Sequence, residues 1–464
     1  MKRFLIAFAA ACILGLSITA IIVMVHTQRV VTRMQQFAAD GPANLAREEA
    51  ADRQLGMLLG PDQMQAPLPP ASQNAAPLYT KLTVLLKQKP LHLPRYADGM
   101  DAFHTYTPAQ IALVRETLAQ RTDVMDLVHQ AADRPKCVFA RDWSQGADIQ
   151  FPEYRPMRKA VWLLKTESYL LARDGHFQKA ITNQTRGFRV AEHAASDPVL
   201  LAHLLGIACD HITLSGMQSI LAIAGPNRDA GADMQRTVEL RQPKLSLRRA
   251  MAGESGFGCA CIIKMHQAES RGMAAALTAG GLPQDPDSKI NGPRAEPQNL
   301  HGLIDAWQAD YLAHMRPLVV ACDMPPLVRR TAFAAAEKQL EREEDNPSNP
   351  THLVALILMP AIGNNDENDT RAQTRQIVTQ VAAALLSIKA QNGIYPETLP
   401  QSFVDPFTGK PLGYRREGVN GFVVYSAGPT GTFDGGKPGQ KVTPQDSVFR
   451  YPAVPLPLSS DMLK

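Results

Sequence analysis

The stretch Phe4 to Val25, FLIAFAAACILGLSITAIIVMV, contains neither a charged residue nor a proline. It matches the ~20 apolar residues that carry an α-helix across a bilayer core. A cleaved signal peptide would have a shorter apolar core ending at small residues, whereas Ile21, Ile22, Val23, Met24 and Val25 carry the run onward. Ala9, Ala10, Ala11 and Cys12 loosely suggest a lipidation box. A branched aliphatic is missing at Ala9, however, and apolar residues follow Cys12 where a polar tether would begin. An uncleaved single-pass anchor is therefore expected. Lys2 and Arg3 on one flank are balanced by Arg29 and Arg33 on the other, so flanking charge does not set orientation. A short N-terminal side held inside leaves the ~435 following residues translocated, as large domains are regardless of charge. The expected location is a bacterial inner membrane with the bulk of the chain in the periplasm.

The rest of the 464 residues exceeds one ordinary domain. With 45% hydrophobic and 20% charged residues it reads as globular. The net charge of +4 is small, and no Lys/Arg run interleaves with aromatics, so a nucleic-acid partner is not expected. Cys137, Cys209, Cys259, Cys261 and Cys322 fit no compact disulfide framework; one or two bridges remain open, and Cys259-x-Cys261 lacks the second pair of a zinc site.

Residues 29–77 read as a stalk helix, with Val30, Met34, Phe37, Leu45, Leu55, Leu58 and Leu59 at loose helical spacing, followed by a Pro-rich linker from Gly60 to Pro77. An all-α domain is then expected over 78–363. Thr107-Pro108 opens a helix running from Ala109 to His129, and Asp197-Pro198 opens one from Val199 to Ala224 that stops at Gly225-Pro226. Leu163 to His193 resembles one tetratricopeptide-type hairpin, with Ala172, Gly175, Phe177 and Ala180 at the small-residue and turn positions. No second copy follows, so an irregular, repeat-like bundle is expected. Gly280 to Pro297 is a polar loop, and Thr351 to Gly363 an apolar run too short to span a membrane.

An α+β module is expected over 364–437 and an irregular tail over 438–464. Asp369 to Gln391 forms a helix with Ile377, Val381, Ala384, Leu385 and Ile388 on one face. LGYRREGVNGFVVYS then gives two strand-like runs around a turn containing Asn420-Gly421. Tyr395-Pro396, Asp405-Pro406-Phe407, Gly409, Tyr414, Gly421 to Ser426, Gly428, Gly431 and Asp434-Gly435-Gly436 resemble, in order and type, the C-terminal half of type II secretion major pseudopilins. The resemblance covers roughly 70 residues and implies a helix packed on a small antiparallel sheet. It does not extend to the N-terminus, which lacks the glycine-aromatic cleavage site and nearby glutamate of prepilins. Where the family's loop carries a calcium-binding aspartate this chain has Thr430; Asp434 is the substitute metal candidate, and a calcium requirement is not expected. The layout also resembles bacterial envelope proteins with an anchor, a helical region and this same module.

Candidate chemistry is sparse. His203, Ile207, Asp210 and His211 fall near one helical face, and His203, Asp210 and His211 are the candidate set for a metal-dependent hydrolase. Glu254 is a second candidate, as an acid paired within a helical core. Gly253, Gly256 and Gly258 do not follow a nucleotide-loop order, and Ser255 lacks the glycine spacing of a nucleophile elbow. No cofactor is expected. The reading that follows is an interaction or scaffold protein of the envelope, held to the membrane by its N-terminal helix and serving a protein partner in a secretion or pilus-like system. A periplasmic metal-dependent hydrolase is the alternative.

Overall fold

The computed structural model describes residues 28–239, 245–279, 298–344, 359, 362–399, 403–432, 447–453 and 455–463. The expected anchor at Phe4–Val25, the loop Gly280–Pro297, most of Thr351–Gly363 and the metal candidate Asp434 lie outside these residues. The chain is mainly helical, with one small antiparallel sheet near its C-terminus.

Helix α1 (Gln28–Gln54) does not stand off as a stalk. It lies along α10 (Gln298–Ala321), running in the same direction, and the two backbones meet at Gly41 and Gly302. A Cβ on Gly41 would come 1.9 Å from the Gly302 carbonyl oxygen, and one on Gly302 would come 1.9 Å from that of Ala38. Only two glycines allow this approach. Arg316 on α10 locks the pair further along by binding Glu48 and the buried Asp52 of α1.

The Pro-rich run is likewise part of the body rather than a spacer. Met64 and Ala75 are buried, and Asn74 bonds both the N–H and the carbonyl of Val138 at 2.9 Å. The globular part therefore begins well before Leu78. Composition suggested a linker because Pro and Ala lack periodicity, but here they lie extended against neighbours that satisfy the backbone.

The helices α2 (Ala76–Gln88), α3 (Pro108–Ala119) and α4 (Thr122–Ala132) lead into the hairpin of α5 (Tyr154–Arg173) and α6 (Phe177–Ala194). Thr107 and Gln110 form a capping box at the start of α3. The single helix expected up to His129 is broken, however, because Arg121 turns inward to the Lys89 carbonyl and to Asp123. The hairpin forms as its small residues require, with Ala172 and Ala180 buried and Gly175 at φ +79° in the turn. Then come α7 (Leu200–Ala224), α8 (Arg228–Glu239), α9 (Leu247–Ala279), α10, α11 (Pro326–Glu344) and α12 (Ile362–Asn392).

β1 (Gly413–Glu417), β2 (Gly421–Tyr425) and β3 (Val448–Tyr451) form an antiparallel meander with β2 in the middle. The β1–β2 turn is the three residues Gly418, Val419 and Asn420, with Gly418 at φ +70°; Gly421 belongs to the strand. β3 corrects the expectation of an irregular tail over 438–464: four residues were too short a run to stand out, and pairing with β2 makes them a strand. Beyond it, Leu456 exchanges backbone bonds with Phe103 and Thr105, at 2.8 and 2.9 Å.

Phe422, Phe449 and Tyr395 pack on Val378, Val381, Leu385 and Leu386 of α12, and the same core includes Leu214 and Met217 of α7 and Met234 of α8. α12 is thus buried between sheet and bundle, not along one face as its pattern suggested. Asp405, fully buried, accepts from the N–H groups of Phe407 and Ala427 and from the Ser426 hydroxyl, which ties the Asp-Pro-Phe turn to the loop after β2. In that loop Thr430 donates to the Ala427 carbonyl at 3.2 Å.

Gly41→Ala should lower stability by about 1–3 kcal/mol, since its methyl meets backbone rather than a movable side chain. Urea unfolding of wild type and variant checks this.

Candidate functional site

α7 owes its position to its composition. It is long and apolar enough to cross a membrane, the only such helix among the described residues, yet 61% of its most apolar window is buried in the protein. It is a core helix. Asp197 does not cap it as expected: its carboxylate takes the Tyr154 hydroxyl at 2.9 Å and the Arg141 guanidinium at 3.0 Å. The capping acid is Glu254 of α9, which accepts from the Leu200 N–H at 2.9 Å. Burial pushes the Glu254 carboxyl up to about 7 despite that bond. Ser255 is buried and donates to the Met251 carbonyl, while Gly253 admits Pro198 and Gly258 admits Tyr311 against the helix.

The candidates His203, Asp210 and His211 do not converge. Seven and eight residues separate His203 from the other two, roughly 10–12 Å along a helix. Among the described residues no group of three His, Cys, Asp or Glu side chains is placed to hold a metal ion. His203 is buried, with Nε2 3.5 Å from Asp369 of α12. Asp369 also takes Arg329 of α11 at 2.9 Å, and Arg329 binds Asp366 at 2.5 Å. This knot joins α7, α11 and α12. Burial opposes the charge on Arg329, but Asp369 and Asp366 prevail and raise its pKa; burial raises that of Asp366. Arg330 continues the cluster over the Phe407 ring at 5.0 Å.

Asp210 and His211 instead face a 570 Å³ cavity between α7 and α12, where they meet Glu367, Asn368, Arg371 and Arg375. Arg371 is held by Glu367 one turn away. Burial and the adjacent Arg371 charge lower Arg375 to about 10, and loss of solvation together with the Arg375 and Lys165 charges puts His211 well below the usual imidazole range.

A second constellation went unnoticed in the sequence. Asp101, in the loop between α2 and α3, accepts from His104 Nδ1 at 2.9 Å, the Phe103 N–H at 3.0 Å and the buried Lys165 ammonium of α5 at 3.2 Å. Burial works to raise the Asp101 pKa, but His104 and Lys165 outweigh it and hold the group ionised; burial lowers that of Lys165. His104 lines a 390 Å³ pocket with Tyr106, Tyr169, Arg173, Tyr451 and Pro452. The pocket is assembled from four remote parts of the chain, Ala222 and Ile223 of α7 among them. The only sequence signal was an Asp-x-x-His spacing in a loop, too common to single out.

Comparison with protein-family models, curated proteins and solved structures finds no match. Function must therefore be argued from the residues.

Cys137, Cys209, Cys259, Cys261 and Cys322 are free thiols, all but Cys322 buried, which leaves no bridge among the described cysteines. Burial raises the pKa of Cys137, Cys259, Cys261 and Cys322, so these thiols stay protonated.

Two predictions test the polar core. Arg329→Met strands Asp366 and Asp369 and should cost about 3–5 kcal/mol in denaturant unfolding. For Glu254 the folded carboxyl titrates above its ordinary 4.5, so its contribution is complete below pH 4.5 and lost as pH rises through about 7. Wild type should therefore lose up to about 3 kcal/mol relative to Glu254→Gln over that interval, measured by urea melts at stepped pH.

Proposed function

We propose that this chain is a non-enzymatic, single-pass envelope protein that holds its helical body against the outer face of a bacterial inner membrane and presents it, with the pseudopilin-like end piece, to protein subunits of a secretion or pilus-like machine. The observation that supports this is the attachment of α1. That helix is described from Gln28 onward, three positions past the end of the apolar run at Val25, and is bound to α10 by the Gly41–Gly302 contact and by Arg316. A body joined this way follows its anchor as one piece instead of swinging on a spacer, which suits a part that must present a surface at a set height. The helix-on-sheet arrangement of α12 with β1–β3 agrees with the pseudopilin-like reading. His203 and Glu254, two of the residues that suggested chemistry, serve helix packing and capping.

Two measurements test it. The full chain should resist alkaline extraction from membranes, and added protease should digest its body in spheroplasts but not in intact cells. A photo-crosslinker at the exposed Val419 in the β1–β2 turn should capture a pilin-like or secretion-machine subunit, whereas one at exposed Val84 on α2 should not. A body shielded in spheroplasts, or a Val419 position that captures no such subunit, overturns the proposal.

A further inference from the structure

The pocket between the 101–106 loop, α5, α7 and the segment after β3 has features that structural packing does not require. Asp101 accepts hydrogen bonds only, so His104 Nδ1 must carry the proton in their 2.9 Å bond. In the neutral ring Nε2 is then an acceptor, and it has no hydrogen bond among the described residues. This is a histidine whose orientation and tautomer are set from behind while its other nitrogen is left available on a pocket wall.

The same pocket is lined by Arg173, at the last position of α5. Its guanidinium lies 5.9 Å from the Tyr169 ring centroid and donates to the Tyr169 hydroxyl at 3.3 Å, but no carboxylate pairs with it among the described residues. Asp101 is already balanced by Lys165, so Arg173 leaves the pocket with a positive charge to spare. Aromatic surfaces line the pocket with them: Tyr106 and Tyr169 meet edge to face at 5.5 Å, and the sheet contributes Tyr451. A volume of 390 Å³ suits a single small ring system.

We infer that this pocket binds a small ring-bearing anion, its carboxylate or phosphate on Arg173, its ring against Tyr106 and Tyr169, and a hydrogen-bond donor facing His104 Nε2. The planar guanidinium suits an oxyanion, and flat aromatic walls favour a flat guest. Such a ligand would touch both the bundle and the segment that follows β3, so its occupancy is felt where the sheet joins the body.

The test is calorimetric titration of the full chain in detergent with benzoate, 4-hydroxybenzoate and phenyl phosphate, each beside acetate and inorganic phosphate. At least one ring-bearing anion should bind saturably and tenfold or more tighter than its ringless counterpart. Arg173→Gln should weaken that binding tenfold or more. Because Arg173 is exposed, this variant should melt within a degree or two of wild type. Arg371→Gln, in the cavity between α7 and α12, should leave the affinity within twofold. Binding should also shift the His104 Nε2 resonance in nitrogen-15 spectra, assigned by its loss in His104→Gln. Failure of every ring-bearing anion to bind, equal binding of the ringless anions, or binding insensitive to Arg173→Gln would each overturn the inference.

Discussion

Burial of one apolar helix organises everything else in this protein. Leu200 at the start of α7 belongs to the core shared with α9 and α10, Ala202, Cys209 and Ile212 to the core under α2–α6, and Leu214, Met217, Ile220 and Leu221 to the core under the sheet. Three hydrophobic clusters that would otherwise be separate units therefore share a single rod. A side chain lost from any part of α7 removes apolar burial from one cluster and loosens the register of the other two. That coupling is why the boundary expected near residue 363 has no counterpart as a break in packing: the module beyond it shares its core with the bundle.

A rod surrounded by apolar groups needs something to fix its height and rotation, and polar contacts do this. Glu254 holds its N-terminus, Gly225 at φ +58° ends it, and His203 meets the Arg329 cluster on its flank. Such buried polar groups add little net stability, because desolvation offsets most of the attraction. They penalise misalignment instead, since any slip would strand a charge or a donor. The histidine and the glutamate that invited a catalytic reading are explained by this demand.

Legibility in the sequence followed the range of the interaction. The capping box at Thr107, the glycine turn at Gly175, the stop at Gly225 and the strand pair around residues 413–425 depend on neighbours within a few residues, and all could be read directly. β3, the packed Pro-rich run and the capping of α7 by an acid 54 residues away depend on partners brought in by the fold, and local pattern carries no record of them. The candidate sites divide in the same way. Spacing on one helix grouped His203 with His211, two turns apart and separated by packing, whereas the pocket at His104 draws on residues from four distant stretches and left only a two-residue trace.

The segment from Tyr451 to Leu456 carries a temporal consequence. It supplies one wall of the His104 pocket and then joins its backbone to residues 103–105. Those residues are synthesised roughly 350 positions after their partners, so in a chain folding as it emerges the bundle must wait with that flank open until they have been delivered. The loop around Asp101 and the rim of the α5–α6 hairpin would stay wet through that interval. Closure of the pocket would then mark the arrival of this segment, giving a quality-control factor a physical difference between a molecule that has received it and one that stops short of it.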